Sequence, residues 1–117
     1  MPATTSNPHT LVPDRLLERV AQRLRVLGDT SRLAILRFLV DRGESNVGEI
    51  VAALEMSQAN VSKHLRLLLD AGVVRRRPEG TSAYYSVADE SVPQLCALVC
   101  ERIEQQIRSE AELLGTR

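Results

Sequence analysis

From Pro13 onward, apolar residues recur at three- and four-residue steps: Leu16, Leu17, Val20, Leu24 and Leu27, with arginines and glutamates between them. That spacing predicts an amphipathic helix, which Gly28 stops. A second helix, capped by Asp29, Thr30 or Ser31, carries Leu33, Ile35, Leu36, Phe38, Leu39 and Val40 and ends at Gly43. A short third helix follows Asn46 as N-cap, with Val47, Ile50, Val51 and Leu54 on one face. After Glu55-Met56, Ser57 opens a fourth helix with Val61, Leu65 and Leu68 inward and Gly72 beyond its end. Two helices joined by about three residues, the second starting at a polar cap, make a helix-turn-helix pattern.

The period then switches from 3.6 to 2. Val73-Val74-Arg75-Arg76-Arg77 and Ala83-Tyr84-Tyr85-Ser86-Val87 are β-type runs, separated by the turn residues Pro78-Glu79-Gly80-Thr81. A last long helix, from about Asp89 to Leu114, aligns Val92, Cys96, Val99, Ile103 and Ile107 in one stripe opposite an acidic face. The predicted fold is mainly α with a β-hairpin wing, a winged helix-turn-helix of order α-α-α-α-β-β-α. Residues 1–10, rich in Thr, Ser, Pro and Asn and without periodicity, read as a disordered tail, and residues 11–114 as one domain.

Composition narrows the class. At 117 residues, 44% hydrophobic and 26% charged, the chain suits one core, and a chain this short is often supplemented by dimerisation. Aromatics are few, Phe38, Tyr84 and Tyr85, which argues against a platform that stacks single-stranded bases. No apolar run approaches membrane-spanning length and the start lacks the regions of a cleavable signal, so a cytoplasmic protein is expected, away from the membrane.

The 15 basic and 15 acidic residues cancel overall but not locally. Residues 57–88 hold five cations against two acids, net plus three, whereas residues 89–117 hold three arginines against six acids, net minus three. The basic segment contains the fourth helix and the hairpin, where attraction to phosphates is needed if the chain binds duplex DNA. With Val61 as the buried reference, Ala59, Lys63 and Arg66 point away from the core and Asn60 and Ser62 flank them. Gln58 lies in the first turn, after the cap Ser57, where recognition helices meet bases. Three consecutive arginines cannot all face one side of a strand, so at least one of Arg75, Arg76 and Arg77 must lie along the protein. Thr81 and Ser82 at the hairpin tip are candidate phosphate or minor-groove contacts.

Several stretches together carry a family resemblance. Leu27-Gly28-Asp29-Thr30-Ser31-Arg32-Leu33, Ser57-Gln58-Ala59-Asn60-Val61-Ser62-Lys63-His64-Leu65, Leu69-Asp70-Ala71-Gly72-Val73-Val74 and Glu79-Gly80-Thr81-Ser82-Ala83-Tyr84-Tyr85 resemble the ArsR/SmtB family of bacterial winged-helix repressors over about residues 15–110. The resemblance implies a homodimer, built through the first and last helices, that binds a palindromic double-stranded DNA operator and releases it when an inducer binds. It maps DNA contacts onto Gln58, Ala59, Asn60, Ser62, Lys63, Arg76, Arg77, Thr81 and Ser82. His64 matches the family pattern as a helix-packing or phosphate-contacting residue. Where arsenic and cadmium sensors of the family carry Cys-x-Cys, this chain has Asn46-Val47-Gly48. The zinc and nickel site of the last helix keeps Asp89 and Glu101 or Glu104 but no histidine, since the two are His9 and His64.

Cys96 and Cys100, one helical turn apart on the last helix, remain. They read in three ways: as small buried hydrophobes, as thiolates that capture a soft metal or a metalloid such as an arsenical, or as a thiol redox or sulfide sensor. No Lys or His stands next to them to activate a thiol, which puts metal or metalloid capture ahead of redox chemistry. No resident cofactor is indicated. An enzyme lacks support, with no phosphate-binding Gly loop and no His cluster. A protein-interaction module or an effector-independent regulator of the same fold is the remaining alternative, and the cations on the fourth helix and hairpin speak against the module.

Overall fold

A computed structural model describes residues 11–115. The tail expected over residues 1–10 lies outside the described residues. A single 3-10 turn, Asp14–Leu16, leads into α1 (Leu17–Leu27), whose C-cap Gly28 donates its N–H back to the carbonyls of Leu24 and Arg25. Helix α2 (Thr30–Arg42) begins where the Asp29 carboxylate accepts the N–H of Arg32 at 3.0 Å, so Asp29 is the cap among the three candidates. Gly43, at φ +86°, ends it.

A two-residue strand, β1 (Ser45–Asn46), has no counterpart in the sequence expectation. Asn46 is at once the end of that strand and the N-cap of α3 (Val47–Leu54). Its side chain accepts the Glu49 N–H at 2.8 Å while Glu49 accepts the Asn46 N–H at 2.8 Å, a reciprocal capping box. Helix α4 (Gln58–Asp70) follows after three residues. The sharp turn between them is made by Glu55 in the left-handed region, φ +54°, the one non-glycine with positive φ among the described residues.

The hairpin differs in one detail from its expected form. Strands β2 (Val74–Glu79) and β3 (Ser82–Val87) run through Pro78 and Glu79, leaving only Gly80 and Thr81 as the turn. The sheet order is β1-β3-β2, so Pro78 sits in an edge strand, where a missing N–H is tolerated. Gly80 takes the positive φ of +61° that a two-residue hairpin requires. Helix α5 (Ser91–Gly115) starts two residues later than the expected Asp89, whose carboxylate accepts both the N–H and the hydroxyl of Ser91 at 3.0 and 2.6 Å.

Ile35, Ile50, Val61, Leu65, Leu68 and Val73 are fully buried, so the core lies between α2, α3, α4 and the base of the hairpin. The first helix lends it only its last turn, Val26 and Leu27, and the last helix little beyond Val92. Leu17 and Leu24 of α1 are about half exposed, and on α5 only Val92 is buried, while Leu98 is 61%, Val99 49%, Ile103 48% and Ile107 58% exposed. Among the described residues no helix is long and apolar enough to cross a membrane.

Candidate nucleic-acid interface

The inner face of α4 is set by Val61, His64, Leu65 and Leu68, all buried. Everything the sequence assigned to the outer face stays outside: Ser57, Gln58, Ala59, Asn60, Ser62, Lys63 and Arg66 are exposed. The Ser57 hydroxyl caps the helix by accepting the Asn60 N–H at 3.1 Å, which fixes the first turn rigidly under Gln58 and Ala59. Arg66 lies 3.5 Å from Asp70 one turn on, but both side chains are largely exposed, so the pair holds Arg66 only loosely.

His64 departs from the outer set. It is only 8% exposed, and its Nδ1 lies 3.1 Å from the Arg32 guanidinium. A guanidinium only donates, so Nδ1 accepts and the ring is the neutral Nε2–H tautomer. Burial holds its pKa below the usual imidazole value, and Arg32 and Lys63 push the same way against the Asp29 carboxylate. Arg32 also donates to the carbonyls of Val26 at 2.6 Å and Arg25 at 3.5 Å, the C-terminal end of α1. His64 thus ties α4 to α1 and α2 through Arg32.

The wing sorts its arginines by the alternation of the strand. Register pairs Arg77 with Tyr84, Arg76 with Tyr85 and Arg75 with Ser86, which places Arg75 and Arg77 on one face and Arg76 on the other. Arg75 donates to the Val87 carbonyl at 3.3 Å. Arg77 is the one that lies along the protein. Its Nε and Nη2 donate to the two oxygens of Glu44 at 2.9 and 3.0 Å, and Nη1 to Glu79 at 2.6 Å. Its guanidinium also sits 5.1 Å from the Tyr84 ring centroid. The two carboxylates hold the Arg77 pKa above its usual value, and Arg77 in turn holds that of Glu44 below the usual carboxylate range. Arg76, exposed like Thr81 and Ser82 beyond it, has no ion pair or hydrogen bond among the described residues. Glu44 had no sequence signal for this part, since its partner stands 33 positions away.

Lys63, the first turn of α4, Arg76 and the tip Thr81-Ser82 thus give α4 and the wing exposed polar and cationic faces. Such faces suit phosphates at their cations and base edges at Gln58 and Asn60.

Cys96 is half-buried and packs against the core, whereas Cys100 is exposed. Among the described residues no group of three or more His, Cys, Asp or Glu side chains is arranged to hold a metal ion. Asp89, kept ionised by its bonds to Ser91, is 2.9 Å from the Arg23 guanidinium of α1, which occupies it.

The profile of the bacterial regulatory protein arsR family matches residues 29–76, from the cap of α2 into β2. Over 84 residues the chain is 37% identical to an uncharacterized helix-turn-helix transcriptional regulator of Methanocaldococcus jannaschii, covering 72% of this chain and 94% of that one. Over 77 residues it is 36% identical to the arsenical resistance operon repressor of Bacillus subtilis, covering 66% of this chain and 73% of that one. Among solved structures, the homodimeric winged helix-turn-helix DNA-binding domain of a possible ArsR-family regulator from Mycobacterium bovis aligns with a TM-score of 0.72 and 33% identity, over 87% of this chain and 94% of that one.

Proposed function

The chain belongs to the arsR family of bacterial transcriptional regulators, and from that premise we propose that it acts as a cytoplasmic homodimer that represses by gripping a palindromic operator and lets go when a thiophilic inducer reaches Cys96 and Cys100. A member of this family is a regulator and not an enzyme. One observation carries the DNA reading: α4 buries Val61, His64, Leu65 and Leu68 and leaves Gln58, Ala59, Asn60, Ser62 and Lys63 exposed beside a wing whose Arg76 has no partner among the described residues. In this reading Gln58 and Asn60 meet base edges, Ser57, Lys63, Arg66 and Arg76 meet phosphates, and Ala59 and Ser62 allow close approach. Thr81 and Ser82 follow the backbone or the minor groove.

The inducer reading is supported by chemistry and by kinship. Two thiols one turn apart suit a soft ion, and a relative is named for arsenical resistance. Two thiols can grip one soft ion, and a partner chain lying on the half-exposed stripe of α5 would be placed to add ligands. Binding there shifts the relation between two recognition helices whose half-sites are about 34 Å apart, and it releases DNA in proportion to its preference for the unbound state.

The test is a titration of a duplex selected by the wild-type protein from a random-sequence pool. Lys63→Ala with Arg76→Ala lowers affinity and flattens its salt dependence by about two in slope, one per lost phosphate contact. Cys96→Ser with Cys100→Ser keeps DNA binding but abolishes release by trivalent arsenite. An unchanged salt slope in the first variant removes those cations from the site. Arsenite release that survives in the second removes the cysteines, and release by peroxide alone assigns them to redox sensing.

A further inference from the structure

Resting on the DNA-binding reading above, we propose that Arg77 and Glu44 are positioning residues that set the pitch of the wing against the body of the domain, Arg77 acting as a strut between carboxylates instead of as a phosphate contact.

A two-stranded hairpin is marginal on its own. Here β1 covers β3 only at Tyr84 and Tyr85, so beyond the Arg77–Tyr84 pair, from Pro78 to Ala83, the hairpin projects without a third strand. Glu44 stands next to Ser45, whose side chain is buried and donates to the Gly43 carbonyl at 2.9 Å, and Asn46 after it caps α3. Glu44 therefore belongs to the rigid body of the helix-turn-helix. Arg77 grips it with a bidentate fork, reaches Glu79 beside the turn, and lies over the ring of Tyr84 on the opposite strand. One guanidinium thereby joins the body, the tip and the second strand. Bidentate charge-assisted bonds fix orientation as well as proximity.

The electrostatics point the same way. A carboxylate beside DNA repels phosphates, and two carboxylates on one arginine spend its charge before DNA arrives. That arrangement costs attraction and is useful only if the geometry it enforces is worth more. The charges left to meet phosphate are those of Arg76, on the other face of the strand, and Arg75, which donates only to the Val87 carbonyl.

The experiment compares Glu44→Gln, Arg77→Lys and Arg76→Ala by fluorescence anisotropy on the selected duplex over a range of salt concentrations. Hydrogen–deuterium exchange of the DNA-free proteins is read alongside. As a strut, Glu44→Gln weakens binding about tenfold although it removes a negative charge, and Arg77→Lys weakens it similarly although it keeps the positive one. Both keep the wild-type salt slope, whereas Arg76→Ala lowers it by about one. In both strut variants the amides from Arg77 to Tyr84 exchange faster while the thermal midpoint stays put. If Arg77 touches phosphate instead, Glu44→Gln tightens binding and Arg77→Lys preserves it, and either result overturns the strut. Unaltered exchange in both variants overturns it whatever the affinities do. Absence of salt-dependent duplex binding by the wild type overturns the DNA reading itself, and the exchange arm then still decides whether the clamp holds the wing.

Discussion

His64 stands on the recognition helix next to Lys63, yet the lysine is exposed while the histidine is buried in the junction of α1, α2 and α4. Its neutrality has a consequence for stability. In the unfolded chain the ring takes up a proton near pH 6.5, whereas in the fold burial holds its pKa lower. Between those two values the unfolded state binds more protons, so stability rises with pH across that window and is lost as pH falls through it. Protonation would also leave Nδ1 unable to accept from Arg32. Wild type is therefore expected to lose more thermal stability than His64→Gln on going from about pH 7.5 to about pH 5.5, because glutamine can accept from Arg32 without titrating. The carboxylates with lowered values, Asp29, Glu44 and Asp89, act in a separate window that opens only below about pH 5, and they are common to both proteins, so they do not blur the comparison. Equal pH slopes in melting experiments would show that His64 does not control this window. At this scale the sequence told inside from outside well, because exposure follows helical period. It could not tell which arginine of the triplet would be spent internally, since that depends on Glu44, a residue no local pattern connects to Arg77.

Helix starts were the most legible elements, because each carries a cap that acts over three residues. Asn46 and Glu49 form the reciprocal pair on α3, Ser57 serves α4, and Asp29 serves α2. Asn46→Ala is expected to cost about 1 kcal/mol in denaturant unfolding, and Glu49→Ala less, since each removes one bond of the box but Glu49→Ala leaves the Asn46 side-chain cap on the helix N–H in place. A midpoint unmoved by Asn46→Ala would mean that the box contributes nothing to α3. What escaped the sequence was strand length. β1 is only two residues and owes its existence to Tyr84 and Tyr85 lying alongside, so no period-2 run announces it. Pro78 was read as turn because it punctuates most strands, but the edge position of β2 removes the penalty and lets the hairpin continue to a tighter turn. Glu55, forced to φ +54° between α3 and α4, shows the same limit, for the close approach of two packed helices overrides a residue's own preference.

Among the described residues of the whole molecule, a long apolar face of α5 is left uncovered. Helix α5 is about 37 Å long, but only its first turns touch the core, and Leu98, Val99, Ile103 and Ile107 run on into solvent. Such a stripe on a short chain is unfavourable unless a second copy buries it, and Leu17 and Leu24 of α1 add to the same need. Periodicity alone places Val99, Ile103 and Ile107 on one stripe with Val92 and Cys96; what it cannot show is that the chain's own core ends at Cys96. The charge distribution gives the proposed dimer a function as well. A head of net plus three on a neutral chain has modest reach for phosphates, so tight operator binding requires two heads on matched half-sites, the second engaging at the high effective concentration that the first creates. Ile103→Glu separates fold from assembly: the side chain is already half exposed in one chain, so a carboxylate there does little to the monomer, but across a two-fold axis it puts two like charges into an apolar seam. Sedimentation is expected to report a folded monomer with wild-type helix content, and binding to the full palindrome is expected to fall by two orders of magnitude or more, roughly the avidity lost, while binding to a single half-site changes little. A variant that stays dimeric would place the interface elsewhere, and one that is monomeric yet binds the palindrome at full strength would remove dimerisation from the mechanism.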